Sequence, residues 1–284
     1  MTPLKFDAIV IGTGQAGPSL AAKLAGSGMK TAIIEKGKFG GTCVNSGCTP
    51  TKTLVASARV AHLIKRSDDF GIHVNGSVSV DMKKVKARKD QLVINSNKGL
   101  ESWLQNTENL TVFKGHGKFT GPDTVAVNDQ ELTAKKIFIN VGGRAFIPPG
   151  FENVSYLTNE SIMDVDFVPE HLIVVGGSYI GLEFGQMYRR FGSRVTIIEM
   201  GDRLVTREDP EVSEEIQRIL ELEGIDIRLN ATCLKGQQSG DDIVVDVDCE
   251  VGDKQVSGSH LLLATGRTPN TGDLGLDLAG ISTN

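Results

Sequence analysis

Cys43 and Cys48 stand five residues apart in the run Gly40-Gly41-Thr42-Cys43-Val44-Asn45-Ser46-Gly47-Cys48-Thr49-Pro50-Thr51-Lys52. A disulfide needs its two Cα atoms within about 7 Å. Residues i and i+5 of a straight α-helix lie about 8.7 Å apart, from its rise and radius. The pair can bridge only if the helix is bent between them, and Asn45, Ser46 and Gly47 tolerate a bend. A strained, accessible disulfide is the more reducible kind. Thr51 to Leu63 reads as a helix, so Cys48 falls near a helix N-terminus, whose dipole favours an anion, with Lys52 close by. These features suit a redox disulfide. A zinc half-site and a static structural disulfide are the alternatives, although zinc pairs show shorter spacing and a second pair. Cys233 and Cys249 lie far off in strand-like sequence and read as ordinary core or surface thiols.

The segment that must position this pair comes directly before it. Phe6 to Ile11 is a short apolar strand, followed at once by Gly12-Thr13-Gly14-Gln15-Ala16-Gly17, a helix from Pro18 to Ser27, and a second strand ending at Glu35. Gly12 permits the tight turn, Gly14 lets the backbone approach a pyrophosphate, and Gly17 allows close helix–strand packing. The helix N-terminus stabilises phosphate, and Glu35 lies where a carboxylate accepts bonds from ribose hydroxyls. The pattern recurs as Leu172 to Val175, Gly176-Gly177-Ser178-Tyr179-Ile180-Gly181, a helix to Phe191, and a strand ending at Glu199. Ser178 replaces the middle glycine, which weakens the second motif without excluding it. Two dinucleotide units imply two cofactors or one cofactor and a vestige; a permanent flavin with a visiting nicotinamide is a natural pair.

Between and after these units, Val80 to Leu104 reads as one long helix with a break near Asn95. Its patch Lys83-Lys84-Val85-Lys86-Ala87-Arg88-Lys89 reads as a solvated face, with Val85, Leu92 and Leu100 on the buried side. Leu110 to Phe113, Gly117 to Phe119 and Thr124 to Val127 look like a small antiparallel meander. Lys136 to Val141 reads as a buried strand ending in Gly142-Gly143-Arg144, and Leu261 to Thr265 as a strand ending in Gly266-Arg267. Glu211 to Glu223 is an amphipathic helix. The chain of 284 residues is long enough for two domains, and its net charge of −5 with a pI near 5.6 points to neither nucleic acid nor an anionic membrane. The start of the chain leaves no room for a signal peptide, and no apolar run reaches membrane-spanning length. A cytoplasmic enzyme with a working disulfide suits these limits.

At this point the chain resembles the flavin-dependent pyridine nucleotide–disulfide oxidoreductases, closest to mercuric-reductase-like and dihydrolipoamide dehydrogenase members. The resemblance rests on the first glycine motif, GGTCVNSGCTPTK, Gly115-His116-Gly117, the Gly142-Gly143-Arg144 exit, GGSYIGLEFG and ATGRTPN. It implies an α/β fold of two Rossmann-like dinucleotide-binding domains of the three-layer ββα type. The FAD domain (1–148) would carry the small meander and the redox disulfide, the NAD(P) domain (149–268) would be inserted, and 269–284 would start the returning FAD-domain segment.

The resemblance also implies roles. FAD would be held by Gly12, Gly14, Gln15, Ala16, Gly17, Glu35, Lys36, Gly41, Thr42, Lys52, Gly117, Val141 and Gly142. NAD(P)H would be held by Gly176, Ser178, Tyr179, Ile180, Gly181 and Glu199, with Cys233, Gly266 and Arg267 as further cofactor-contacting candidates. NAD(P)H would reduce the flavin, and the flavin would pass two electrons to Cys43–Cys48. Cys48 would touch the flavin, Cys43 would attack the substrate, and Lys52, paired with Glu183, would stabilise negative charge on the reduced ring. Tyr179 would cover the nicotinamide pocket. Glu199 favours NADH over NADPH, although Arg203 and Arg207 lie near enough to blunt that preference.

The electron acceptor would be a small-molecule disulfide or a metal ion, and the full-length form a homodimer. Relatives continue beyond the second exit into a dimerisation domain carrying a histidine–glutamate acid–base pair. The sequence therefore reads as a fragment with weak or absent turnover. Its five histidines (His62, His73, His116, His171 and His260) read as surface or packing residues.

Overall fold

The computed structural model describes residues 2–248 and 253–283, and for Cys233 the backbone alone. Cys249 lies outside the described residues. The chain divides into two compact units. One comprises Met1–Pro50, Gln91–Arg144 and Thr268–Asn284; the other comprises Thr51–Asp90 and Ala145–Arg267.

In the first unit the strands are β1 (Leu4–Lys5), β2 (Ala8–Ile11), β3 (Thr31–Glu35), β4 (Leu110–Lys114), β5 (Lys118–Gly121), β6 (Thr124–Val127), β7 (Gln130–Thr133) and β8 (Lys136–Ile139). β4, β3, β2 and β8 form an all-parallel sheet in that order. Central β2 is apolar throughout because both its faces are covered. Ile9 and Ile11 point to a core shared with Phe119, Val125 and Leu132, whereas Val10 packs with Ala21 and Ala25 of helix α1 (Gly17–Gly26). β5, β6 and β7 form the antiparallel meander, with β1 added in parallel to β7. Leu110 to Phe113, expected in the meander, belongs instead to β4 beside β3. Lys136 to Ile139 is not buried: β8 is an edge strand with a single neighbour.

Helices α2 (Gly41–Asn45) and α3 (Cys48–Lys65) follow β3. α3 starts three residues before the expected Thr51, and Pro50 suits a first helical turn. α4 (Met82–Gln105) is unbroken at Asn95. Its basic patch is not uniformly solvated. Lys89 is buried and donates to Met163 O at 2.8 Å, with Asp90 as its ion partner, whereas Leu92 is exposed. α4 gives its residues up to Asp90 to one unit and the rest to the other, so a single apolar stripe does not serve its whole length. β9 (Gly143–Ala145) then follows.

The second unit repeats the plan. β10 (His171–Val175), α5 (Tyr179–Phe191), β11 (Arg194–Ile198), α6 (Pro210–Leu222) and β12 (Asp226–Arg228) are followed by β13 (Thr232–Ser239), β14 (Asp242–Asp248), β15 (Gln255–Gly258) and β16 (His260–Leu263). The parallel sheet has the order β12-β11-β10-β16, and β13-β14-β15 is antiparallel. Leu172 and Val174 face a core with α5, while Ile173 and Val175 face Val245 and Val247 of the antiparallel sheet. Each unit is therefore helix, parallel sheet and antiparallel sheet in three layers. β17 (Arg267–Pro269) closes the chain's elements.

Candidate active site

Both glycine turns are built the same way. Gly12 N–H donates to Ile34 O at 2.8 Å, and Gly176 N–H donates to Ile198 O at 2.8 Å. Each glycine has positive φ (102° and 117°), and a Cβ would lie 2.2 Å from Asn140 O or 2.4 Å from Ala264 O. Glycine is needed at both. A Cβ on Gly17 would meet Gly12 O at 2.2 Å, and one on Gly181 would meet Gly176 O at 2.0 Å, which fixes the close helix–turn approach. Gln15 and Ala16 are exposed on the first turn and Ser178 on the second, while Ile180 is half-buried.

The two acids are also held alike. Glu35 Oε2 accepts from Thr13 N–H at 2.9 Å and Oε1 from Gly37 N–H at 2.8 Å. Glu199 accepts from Gly177 N–H through one oxygen and from Gly201 N–H at 2.8 Å through the other. In each case the carboxylate stands at the end of the second strand, beside the glycine turn. That is where a ribose diol would meet it if phosphates sat on the turn. Gly117 is buried against Ile34 and Ile11, Val141 is half-buried, and Lys36 and Gly142 are exposed. These positions share the first unit with Gly41 and Thr42. The cradle fits a dinucleotide: Gly14 adds no side chain of its own to the turn, and a Cβ on Gly41 would lie 2.8 Å from Gly14 Cα.

The cysteine segment leaves this cradle directly. α2 begins after Gly40 (φ 94°), carries Cys43 and ends at Ser46, whose φ of −145° and ψ of 18° break the helix. α3 restarts at Cys48. The bend thus falls at Ser46-Gly47, where a Cβ on Gly47 would lie 2.9 Å from Thr42 O. Both cysteines are free thiols, Cys48 exposed and Cys43 partly buried. Burial is the main cause that pushes the Cys43 thiol above its ordinary value. The Cys48 sulfur adds to the rise, and the Cys48 backbone N–H pulls the other way. Asn45 Nδ2 donates to Phe39 O and Gly41 O, both at 2.9 Å, and Asn97 Nδ2 on α4 donates to Phe39 O at 2.6 Å. Asn97 and Thr13 are supporting residues that the sequence reading missed. Thr13 stands inside the glycine motif, and only three-dimensional contact distinguishes its hydroxyl from a filler.

In the second unit Lys52, one helical turn past Cys48 on α3, is ion-paired with Glu183 on α5. Tyr179 opens α5 and is 62% exposed. Glycine Gly266 is exposed with positive φ, and Arg267 begins β17. Cys233 lies on β13, with its side chain outside the described residues. Arg203 donates to Thr206 O at 3.3 Å within the loop after β11, where Val205 adopts a strained φ of 43° and donates to Gly177 O at 3.0 Å. Of the histidines read as surface or packing residues, His171 is a packing residue. His116 pairs with Asp273 at 3.1 Å, and buried His171 bonds Thr196 Oγ1 at 2.9 Å.

Two dinucleotide-type turns and a cysteine pair emerging from the first define a class. The chain belongs to the pyridine nucleotide-disulphide oxidoreductase family, whose model matches residues 6–284. This family is FAD-dependent and uses NAD(P)H. Among relatives, mercuric reductase of Bacillus cereus is 37% identical over 278 residues, covering 97% of this chain and 44% of that protein. Dihydrolipoyl dehydrogenase of Acholeplasma laidlawii is 32% identical over 291 residues, covering 99% of this chain and 85% of that one. The Cu(II) complex of the HOCl-induced flavoprotein disulfide reductase RclA from Escherichia coli superposes with a TM-score of 0.85 at 32% identity, covering 100% of this chain and 61% of that one. The chain spans about half the length of the mercuric reductases it matches. No helix among the described residues is long and apolar enough to cross a membrane.

Proposed function

We propose that this chain forms the FAD- and nicotinamide-binding part of a reductase that carries electrons through Cys43 and Cys48 to a small disulfide or a metal ion, in the manner of a mercuric reductase. The observation that carries the reading is the contact of Gly41 with Gly14: the redox segment starts on the cradle that would hold the flavin nucleotide. In this reading 1–148 is the FAD domain, 149–268 the NAD(P) domain and 269–284 the returning segment, within a cytoplasmic homodimer.

FAD, when bound, supplies two-electron transfer between NAD(P)H and the cysteine pair. The chain's own residues do the rest. Gly12, Gly14, Gln15, Ala16 and Gly17 present backbone to a pyrophosphate, with Gly41 and Thr42 beside them, and Glu35 and Lys36 flank the adenosine ribose. Gly117 would lie near the adenine, Val141 and Gly142 would contact the nucleotide, and Lys52, held by Glu183, would supply a cation near the flavin ring. Gly176, Ser178, Ile180, Gly181 and Glu199 would seat the nicotinamide nucleotide, Tyr179 would cover it, and Gly266, Arg267 and Cys233 would stand at its margin. Glu199 repels a 2′-phosphate, so NADH is favoured.

Two electrons and two protons convert the disulfide to the dithiol. Cys43 then loses its proton to a base and attacks a substrate sulfur, releasing the other sulfur as a thiolate. Cys48 attacks the mixed disulfide, restores Cys43–Cys48 and releases the second thiol. Because burial raises the Cys43 thiol, a base beside it would increase the attacking thiolate near neutral pH.

The test is an anaerobic visible spectrum of the chain with FAD, before and after NADH, followed by mercuric ion or lipoamide. Bleaching with a new long-wavelength thiolate–flavin band supports the reading, and reoxidation by one acceptor assigns it. A protein that ignores FAD overturns it. Binding of nucleotide without electron transfer favours the rival reading, a non-catalytic redox sensor.

A further inference from the structure

Thr13 sits in the first glycine turn and is fully buried. Its hydroxyl has one proton, and the Glu35 carboxylate takes it in a close hydrogen bond. The oxygen's lone pair is thereby turned to Gly40, whose N–H donates to Thr13 Oγ1 at 3.1 Å. Gly40 is the N-cap of α2, the helix that carries Cys43. Its position is tightly set, because a Cβ there would lie 2.5 Å from Val44 Cβ. One hydroxyl therefore joins the acid at the end of β3 to the first residue of the redox segment.

The second unit is an internal comparison. There the corresponding residue is Gly177, whose N–H reaches Glu199 as Thr13 N–H reaches Glu35. It has no hydroxyl, and the two cysteines after Glu199, Cys233 and Cys249, are not a closely spaced pair. The side chain is added only in the unit where the strand-end acid is followed by a redox segment.

We infer that Thr13 is a positioning residue that couples ribose binding at Glu35 to the reactivity of the Cys43–Cys48 segment. The inference rests on the proposed nucleotide site and extends it. A ribose diol donating to Glu35 competes for the oxygen that orients the Thr13 hydroxyl. The acceptor offered to Gly40 N–H changes with it, and so does the start of α2. By linkage the effect runs both ways: the state of the cysteine segment alters nucleotide affinity.

The test needs no flavin chemistry. The reduced chain is titrated with ADP by calorimetry, and iodoacetamide alkylation of Cys43 and Cys48 is followed by peptide mass with and without saturating ADP. In the wild type ADP is expected to change the Cys43 rate by about threefold. Thr13→Ser keeps the hydroxyl and should keep the response. Thr13→Val keeps the shape and removes the competitor for Glu35, and should bind ADP about tenfold more tightly with the response abolished.

A wild-type chain that binds ADP with no change in Cys43 reactivity overturns the coupling, whatever the variants do. So does a folded Thr13→Val chain whose ADP affinity and response lie within about twofold of wild type. A wild-type chain that binds neither ADP nor FAD overturns the nucleotide site itself, and the inference with it.

Discussion

Cys43 and Cys48 differ in setting although one bend joins them. Cys43 is partly buried on α2, and Cys48 stands exposed at the start of α3. Burial and then the Cys48 sulfur raise the Cys43 thiol. In the dithiol, iodoacetamide modification of Cys43 should reach its midpoint at a higher pH than a free cysteine. Cys48→Ser removes the sulfur's contribution and leaves the burial, so the midpoint should fall only part of the way. A midpoint at or below that of free cysteine would contradict this account.

The two turn glycines separate fold from binding just as cleanly. Gly12→Ala forces a side chain into Asn140 O at positive φ, and should cost about 3 kcal/mol or more in urea denaturation. Gly14 has ordinary φ, and a Cβ there would be 3.4 Å from the nearest atom, Asn140 Nδ2. Gly14→Ala should therefore fold with nearly wild-type stability and lose FAD affinity, measured by retained flavin absorbance after gel filtration.

Between elements, one densely bonded tie within the second unit is at Glu223, just past α6. Its carboxylate accepts Arg190 Nε at 2.8 Å and Nη2 at 2.6 Å, and Gln186 Nε2 at 2.8 Å, all from α5. His62 of α3 stands 3.8 Å away. Burial alone would raise the Glu223 carboxyl. The Arg190 hydrogen bonds and charge, with lesser help from His62 and Gln186, outweigh it and hold the group below the ordinary glutamate range. A depressed carboxyl contributes stability that is full above its unfolded value, about pH 4.3, and is lost as pH falls through its folded value. Glu223→Gln should thus destabilise the protein by about 3 kcal/mol at pH 7, and the gap in melting temperature should close as pH falls below 4. A gap independent of pH would show that shape, not charge, carries the tie.

This tie was not legible in the sequence, where Glu223 was simply the end of an amphipathic helix. The glycine turns and the Ser46-Gly47 break were legible, because each is a constraint among residues a few positions apart. The partner of β4, the burial of Lys89 and the role of Thr13 depend on residues that meet only in the folded chain.

For the whole molecule the interleaving of segments decides how stability is held. Leu274 and Leu276 are buried in the core that Ile9 and Ile11 also form, and Phe119 N–H donates to Leu274 O at 2.7 Å. Asn270 N–H bonds Gly142 O at 3.0 Å within the same unit. Leu274→Ala should cost about 3 kcal/mol and lower the stability of the first unit, read as earlier loss of flavin retention on heating. A variant with unchanged retention would show that the segment merely rests on the core. The same arrangement bears on synthesis. β2 is made before Phe119, Val125 and Leu132, which cover one of its faces, and Leu274 and Leu276, which complete that core, are made only after strands β10 to β16. The first glycine turn is therefore translated long before its own core is complete. During that interval the part of the core that Leu274 and Leu276 fill stays open to chaperones, and a bound nucleotide would hold the half-built unit together.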